Sequence, residues 1–294
     1  MWAKGKFSHM ARFVAKAREL GFTHIETNTT ISPRMLSELL ETAVPISSIH
    51  APCPAALSSR GIPISNLSLS SLDDRERAEA VSYTRQTIDL AASVRATVVV
   101  LHVGEVPINL SLQDRLHRLY DRGYAQTREY RQAKEELVYQ RIAQAPPYLD
   151  AARRSLQELS KYSRQKGIML GLETRFHHHE IPNIDEMAEL LDKVSENLVG
   201  YWHDVGHAEV QQQLGFSLHE EWLARFMDKM VGIHLHDILG ISDHHPPGKG
   251  AMNWEMVAKY LSSGIVKVCE IGEWNDEDQM QDVIKFLQKK GVLA

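Results

Sequence analysis

The sequence predicts an eight-unit (β/α)8 barrel, and three observations carry that reading. Short β-branched runs alternate with longer helical patterns along almost all of the 294 residues, as parallel strands joined by crossover helices require. The strand-like runs are apolar along most of their length, the pattern of strands covered on both faces. No GxGxxG follows any early strand, which removes the main support for a doubly wound open sheet.

The elements follow in order. A helical pattern at about 8–20 has only "MWAKG" in front of it, so the first barrel strand is expected to be short or missing. "FTHIETN" reads as the next strand, and "SPRMLSELLE" as a helix with Ser32 at the N-cap and Pro33 at its first position. Then come "ISSIHAP", a helix across 73–94, "ATVVVLHVG", helices over 113–166, "IMLGLETR" and the helix "NIDEMAELLDKV". "LVGYWHDVG", "MVGIHLHD" and "VKVCEIGE" are the last three strands, each followed by a helical segment. The whole of 1–294 reads as one domain. A helical insertion around 105–147 breaks the rhythm; its arginines and tyrosines recur at helical spacing with acids between them. It is read as a solvated hairpin whose internal ion pairs are each worth little, with a lid over the barrel rim as the functional alternative.

Bulk composition narrows the classes. With 43% hydrophobic and 24% charged residues the profile is globular. A formal charge of −5 argues against general nucleic-acid affinity. Cys53 and Cys269 are the only cysteines and form no CxxC, which argues against a disulfide framework or a cysteine-ligated zinc knuckle and points to a reducing compartment. No apolar run nears the ~18 residues of a membrane span, and "MWAKGKFSHMARF" lacks a signal-peptide core. A cytoplasmic protein with no membrane partner is expected.

The chemistry sits at the strand ends. His50, His102 and Glu173 each close a strand; Asp204 and His207 end the next, His234 and His236 the next, and Glu270 the last. Asp243 and His245 follow in the loop after the penultimate strand, ahead of the path-fixing "PPGKG". In a barrel these ends converge on one rim. Converging carboxylates repel unless cations neutralise them, and imidazole with carboxylate suits zinc, manganese or iron. By the two-residue period, His234 and His236 share a face and Asp237 takes the other. His177, His178 and His179, after the glutamate strand, are read as a surface turn, with a place in the pocket lining as the alternative.

At these residues the chain resembles the xylose-isomerase-like TIM barrel superfamily of sugar isomerases, ketose epimerases and endonuclease IV. The resemblance runs from "FTHIETN" to the last helix. It implies the metal-ligand set Glu173, Asp204, His234 and Glu270, with His207 completing a DxxH. The motifs "HAP", "LHVG" and "DHHPPGKG" are similar to those of endonuclease IV, which implies further ligands at His50, His102, Asp243 and His245, and two or three divalent ions. "ETRFHHHEIP" departs from that enzyme, and the first strand with its DNA-binding loop is essentially absent.

Two activities follow from the resemblance. The preferred one is a metal-dependent sugar or sugar-phosphate isomerase or epimerase. Glu173 and Glu270 would exchange protons through a metal-stabilised enediolate. His236, Arg175 and Lys249 would bind hydroxyls or an anionic end, with an ion pair to Glu180 as the alternative for Arg175 and a solvated loop side chain for Lys249. The other activity is phosphoester hydrolysis of the endonuclease IV kind, with abasic-site DNA as substrate. A homo-oligomer is a further expectation, since a truncated first strand leaves an exposed edge.

Overall fold

The computed structural model describes residues 2–194 and 198–294. In chain order its strands are β1 (Ile25–Thr27), β2 (Ile46–His50), β3 (Val98–Leu101), β4 (Gly104–Glu105), β5 (Met169–Glu173), β6 (Glu180–Ile181), β7 (Val199–Asp204), β8 (Met230–Leu235), β9 (Asp237–Leu239), β10 (Ser242–His245) and β11 (Val266–Cys269). The helices are α1 (Met10–Glu19), α2 (Pro33–Glu41), α3 (Asp74–Val94), α4 (Leu110–Asp121), α5 (Arg128–Lys166), α6 (Ile184–Lys193), α7 (Val205–Gln213), α8 (His219–Phe226), α9 (Trp254–Lys259), α10 (Glu277–Met280) and α11 (Val283–Lys289). Among the described residues, β1, β2, β3, β5, β7, β8 and β11 pair in that order, all parallel, as a nearly closed barrel.

Local chemistry sets the helix ends. Ser32 accepts the Met35 amide ahead of Pro33, and Asp73 accepts those of Arg75 and Glu76 at the start of α3. Asn183 and Glu186 form a capping box on α6. Gly167 closes α5 in the left-handed conformation.

The two-residue period of the strands sorts side chains into an inner and an outer set. Outward residues such as Leu170, Leu172, Tyr201, Ile233 and Leu235 pack in the main core against helical residues including Ala152, Leu156 and Leu159. Inside the barrel, Trp202 is packed with Val98 and Val100, with Val266 and Val268 alongside. Glycine makes room for that indole: a Cβ on Gly232 would lie 2.1 Å from Trp202 Cζ3, and one on Gly171 3.1 Å from Cε3. The next inward residues along β5, β7 and β8 are Glu173, Asp204 and His234, so a polar layer sits on an apolar plug.

The expected short or missing first strand takes the form of a gap. Residues 2–6 form turns rather than a strand, and β1 and β11 are not paired with each other. A cavity of about 1360 Å³ lies between them, reaching from Trp2 and Lys4 past Glu26 and Glu270 to Ile284 and Leu293. Trp2 is among the residues that line it and donates its indole N–H to Asn275 O at 3.0 Å.

The insertion is helical, as expected, but it is not simply solvated. α4 and α5 pack as a hairpin with one exposed pair, Arg115–Glu129 at 2.8 Å. Arg141 departs from that picture, being only 1% exposed and bonded outside the hairpin. Burial is possible because a bidentate carboxylate and two backbone carbonyls satisfy its fork of donors.

Because Trp202 already fills the barrel, Gly232→Ala is expected to cost about 1–3 kcal/mol or more by overpacking. Urea unfolding checks this; an unshifted midpoint would contradict the account of Trp202 as the plug.

Candidate metal centre

The C-terminal ends of the strands bring three donor groups together. His50, His102 and Glu173 form one, Glu173, Asp204, His234 and Glu270 a second, and Asp204, His207 and His244 a third. Within each group the ligating atoms lie within 4.8 Å of one another. Glu173 belongs to the first two groups and Asp204 to the last two. The groups therefore form a row joined by shared carboxylates.

The middle group is built around His234, which is fully buried. Its Nδ1 lies 2.9 Å from Glu173 Oε1, 3.1 Å from Glu270 Oε2 and 3.5 Å from Asp204 Oδ2. Four ligands held at about 2.0–2.2 Å from one ion stand roughly 3–3.5 Å apart at tetrahedral angles. The donors present therefore fit a divalent cation in both chemistry and spacing. On its other side, His234 Nε2 lies 2.9 Å from Glu26 Oε1. A proton on Nε2, donated to that carboxylate, leaves Nδ1 free to bind a metal.

The neighbouring imidazoles follow the same logic. His50 turns Nδ1 to Ala51 O at 3.3 Å and presents Nε2 to Glu173 Oε2 at 3.1 Å. His102 Nε2 lies 2.6 Å from that oxygen, and the ring is 44% exposed, so this flank opens to solvent. His207 donates Nδ1–H to Thr174 O at 2.9 Å and aims Nε2 at Asp243 Oδ2, 3.5 Å away. Its own amide donates to Asp204 Oδ1 at 2.7 Å, because Asp204 also caps α7.

Electrostatics explain what such a layer needs. Burial opposes ionisation of Glu173 and Asp204, yet the surrounding imidazoles outweigh it and hold both well below the ordinary carboxylate range. Burial likewise opposes charge on His234. The charges of Glu270 and Glu26, with hydrogen bonds to Asp204 and Glu173, push it well above its usual value. Positive charge is thus drawn to the centre of the cluster, and a divalent cation competes with protons for that place.

Several expected residues fall in different roles. His245 stands apart from the three groups, with Nε2 3.1 Å from Ser242 Oγ and its ring edge-on to Trp274. His244 joins them instead, its Nδ1 2.8 Å from Asp243 Oδ1 and Nε2 3.6 Å from Glu270 Oε2. The cause is local: His244 has a φ of +58° in an irregular β9–β10 pairing, which exchanges the directions of the two rings. His236 is fully buried and occupied at both nitrogens. Its Nδ1 accepts the His244 amide at 2.9 Å, so Nε2 carries the proton that it donates to Asp204 Oδ1 at 2.9 Å.

Arg175 is buried between Glu173 Oε2, at 3.3 Å, and Glu180, so the ion-pair alternative is the one found. Burial opposes ionisation of Glu180, but the Arg175 charge brings its carboxyl down to about 2. Lys249 is exposed. Asp237 faces away from the donors, as the strand period predicts, and its carboxylate accepts the Gly248 and Met252 amides and the Trp254 indole. The three consecutive histidines do lie in a turn, with His177 and His178 half-buried, but the third is not on the surface. His179 is buried against Gln113, Nδ1 to Oε1 at 2.7 Å, because the insertion covers it.

Besides His244, Glu26 is a residue that sequence reasoning missed. The signal is present in "HIETN", which carries a carboxylate near its strand end as the later strands do. Ser48 donates to the second Glu26 oxygen at 2.5 Å, which fixes the carboxylate against His234.

The comparisons agree with this architecture. The family model described as xylose isomerase-like TIM barrel matches residues 14–290. An uncharacterized protein of Sinorhizobium fredii is 24% identical over 271 residues, covering 84% of this chain and 75% of its own. A D-tagatose 3-epimerase-like protein superposes with a TM-score of 0.63 at 20% identity, over 94% of this chain and 91% of that one. D-psicose 3-epimerase of Clostridium cellulolyticum, solved with D-tagatose, gives 0.66 at 12% identity, over 100% and 97%. These structural likenesses speak to the fold. No helix among the described residues is long and apolar enough to cross a membrane. A parallel barrel with its donors gathered at the strand ends, matched by one family model through nearly its whole length, belongs to the xylose isomerase-like TIM barrel family.

Proposed function

We propose that this chain is a metal-dependent sugar or sugar-phosphate isomerase or epimerase. One observation carries the reading: Glu173 and Glu270, from strands separated by β7 and β8, both reach the same His234 nitrogen, at 2.9 and 3.1 Å. Two carboxylates converging on one point can serve a substrate carbon from two sides. The sugar epimerases among the structural likenesses support the substrate class.

Glu173, Asp204, His234 and Glu270 would hold one divalent ion, zinc or manganese before iron. His50 and His102 would extend the site from Glu173; His207, Asp243 and His244 would extend it from Asp204. Bound there, a divalent ion supplies Lewis acidity that makes a carbon-bound proton next to a carbonyl easier to remove. One of the two glutamates takes that proton. The other returns one to the opposite face of the same carbon for epimerisation, or to the neighbouring carbon for isomerisation. His236 orients Asp204, and Glu26 orients His234; both ring nitrogens of the one and both carboxylate oxygens of the other already have hydrogen-bond partners. Arg175 holds Glu173 from the side, reaching its Oε2 at 3.3 Å.

A second reading, phosphoester hydrolysis, rests on the shared carboxylates. Three donor groups in a row suit clustered ions that stabilise both entering and leaving oxygens.

Deuterium wash-in from D2O separates the two. With manganese- or zinc-loaded protein and a panel of ketoses and their phosphates, one carbon should acquire deuterium. Glu270→Gln should lower that rate by about 10²–10⁴-fold. No exchange on any sugar, together with cleavage of abasic-site duplex that Glu270→Gln abolishes, would replace this proposal with the second. Removing metal with EDTA should abolish exchange, and readdition should restore it. Glu26→Gln should weaken metal binding by about 10–100-fold in a competition titration with a chromogenic chelator; undiminished affinity would reject the orienting role of Glu26.

A further inference from the structure

The helical insertion supplies none of the groups assigned above, yet it grips the segment directly behind Glu173. Residues 177–181 are held by it on several sides. Val106 donates its amide to His179 O at 2.9 Å, and β4 pairs with β6 through Gly104–Ile181 and Glu105–Glu180. Gln113 of α4 meets His179 at 2.7 Å. From α5, Arg141 donates Nε–H to His178 O at 2.6 Å and an Nη2 proton to Glu180 O at 3.0 Å. Its other contacts are bidentate, to Glu186 Oε1 at 2.7 Å and Oε2 at 2.6 Å. Glu186 is itself fixed, because its Oε2 accepts the Asn183 amide at 2.9 Å in the capping box of α6.

What Arg141 holds leads to the site in two further contacts. Glu180, whose carbonyl it binds, turns its carboxylate the other way, to the His177 amide at 2.8 Å and to Arg175. Arg175 then reaches Glu173 Oε2 at 3.3 Å, the oxygen shared with His50 and His102.

We propose that Arg141 is a positioning residue: through the Glu180–Arg175 pair it sets the orientation of Glu173, and so couples the insertion to the metal centre. The inference rests on the role given to Glu173 above. Stability alone does not call for such a group, since a buried ion pair is commonly no more stabilising than apolar residues of similar volume. A rigid fork that binds two backbone carbonyls, two residues apart, and a carboxylate at once specifies orientation, which an apolar contact does not. None of its four bonds returns to the insertion.

The paired replacement R141M/E186M removes the ion pair without leaving one charge buried alone. R141K keeps a charge beside Glu186 but cannot reach all four acceptors. Each folded variant is loaded with Co2+, and its visible absorption spectrum and Co2+ affinity are compared with wild type, alongside kcat, KM and the melting temperature. The expected result is a melting temperature within a few degrees of wild type, an altered cobalt spectrum, and kcat lowered by about 10–100-fold with a smaller change in KM. A folded variant of either kind with wild-type spectrum, affinity and kcat overturns the proposal and leaves Arg141 a structural clamp. If R141M/E186M does not fold, R141K decides on the same readouts. If wild-type protein turns over no sugar, the functional reading fails by itself, and the cobalt spectrum still tests the positioning.

Discussion

The structure turns on one buried imidazole. His234 bridges Glu26 on one nitrogen and Glu173, Glu270 and Asp204 on the other. Four acidic side chains from four strands cannot share a dry space without positive charge among them. The barrel resolves this by placing a group there that accepts a proton or yields its lone pair to a cation. The two states are alternatives, so a cation bound at this point would be linked to loss of that proton.

The surrounding layers follow from that requirement. Strand register puts Glu173, Asp204 and His234 one inward position above Gly171, Trp202 and Gly232. The indole fills the barrel below Glu173, Asp204 and His234, which are all buried, and burial strengthens their interactions. Shared carboxylates then tie the three donor groups together. A change at Glu173 or Asp204 alters two groups at once, whereas His102 or His244 belongs to one. The site is therefore most sensitive at its two bridging acids.

Control of the site also reaches outward. The insertion could have been an independent hairpin, but Arg141, Gln113 and the short β4–β6 ladder fasten it to the segment after β5. That segment holds Arg175 and Glu180 in a pair whose far side meets Glu173. Helices that contribute no ligand thus share in the geometry of one, and the gap between β1 and β11 leaves the opposite flank, at Glu26 and Glu270, beside an open cavity.

The sequence by itself determined the barrel class, because alternation of strand and helix patterns is a local property written into every unit. It also marked most donors, since a strand end and a two-residue period fix which residues reach the rim and which face they take. Asp237 shows how far that reasoning carries: its outward direction followed from its neighbours alone. Tertiary structure decided the rest. Glu26 meets His234 across 208 residues of chain, a contact that exists only when the barrel curls round to bring β1 near β8. The choice of His244 over His245 turned on one positive φ in a bulged hairpin, which strand periodicity does not encode. Arg141 looked like any solvated helical arginine until the insertion folded onto the loop it covers. Local pattern sets the direction of a side chain; closure of the fold sets what it meets.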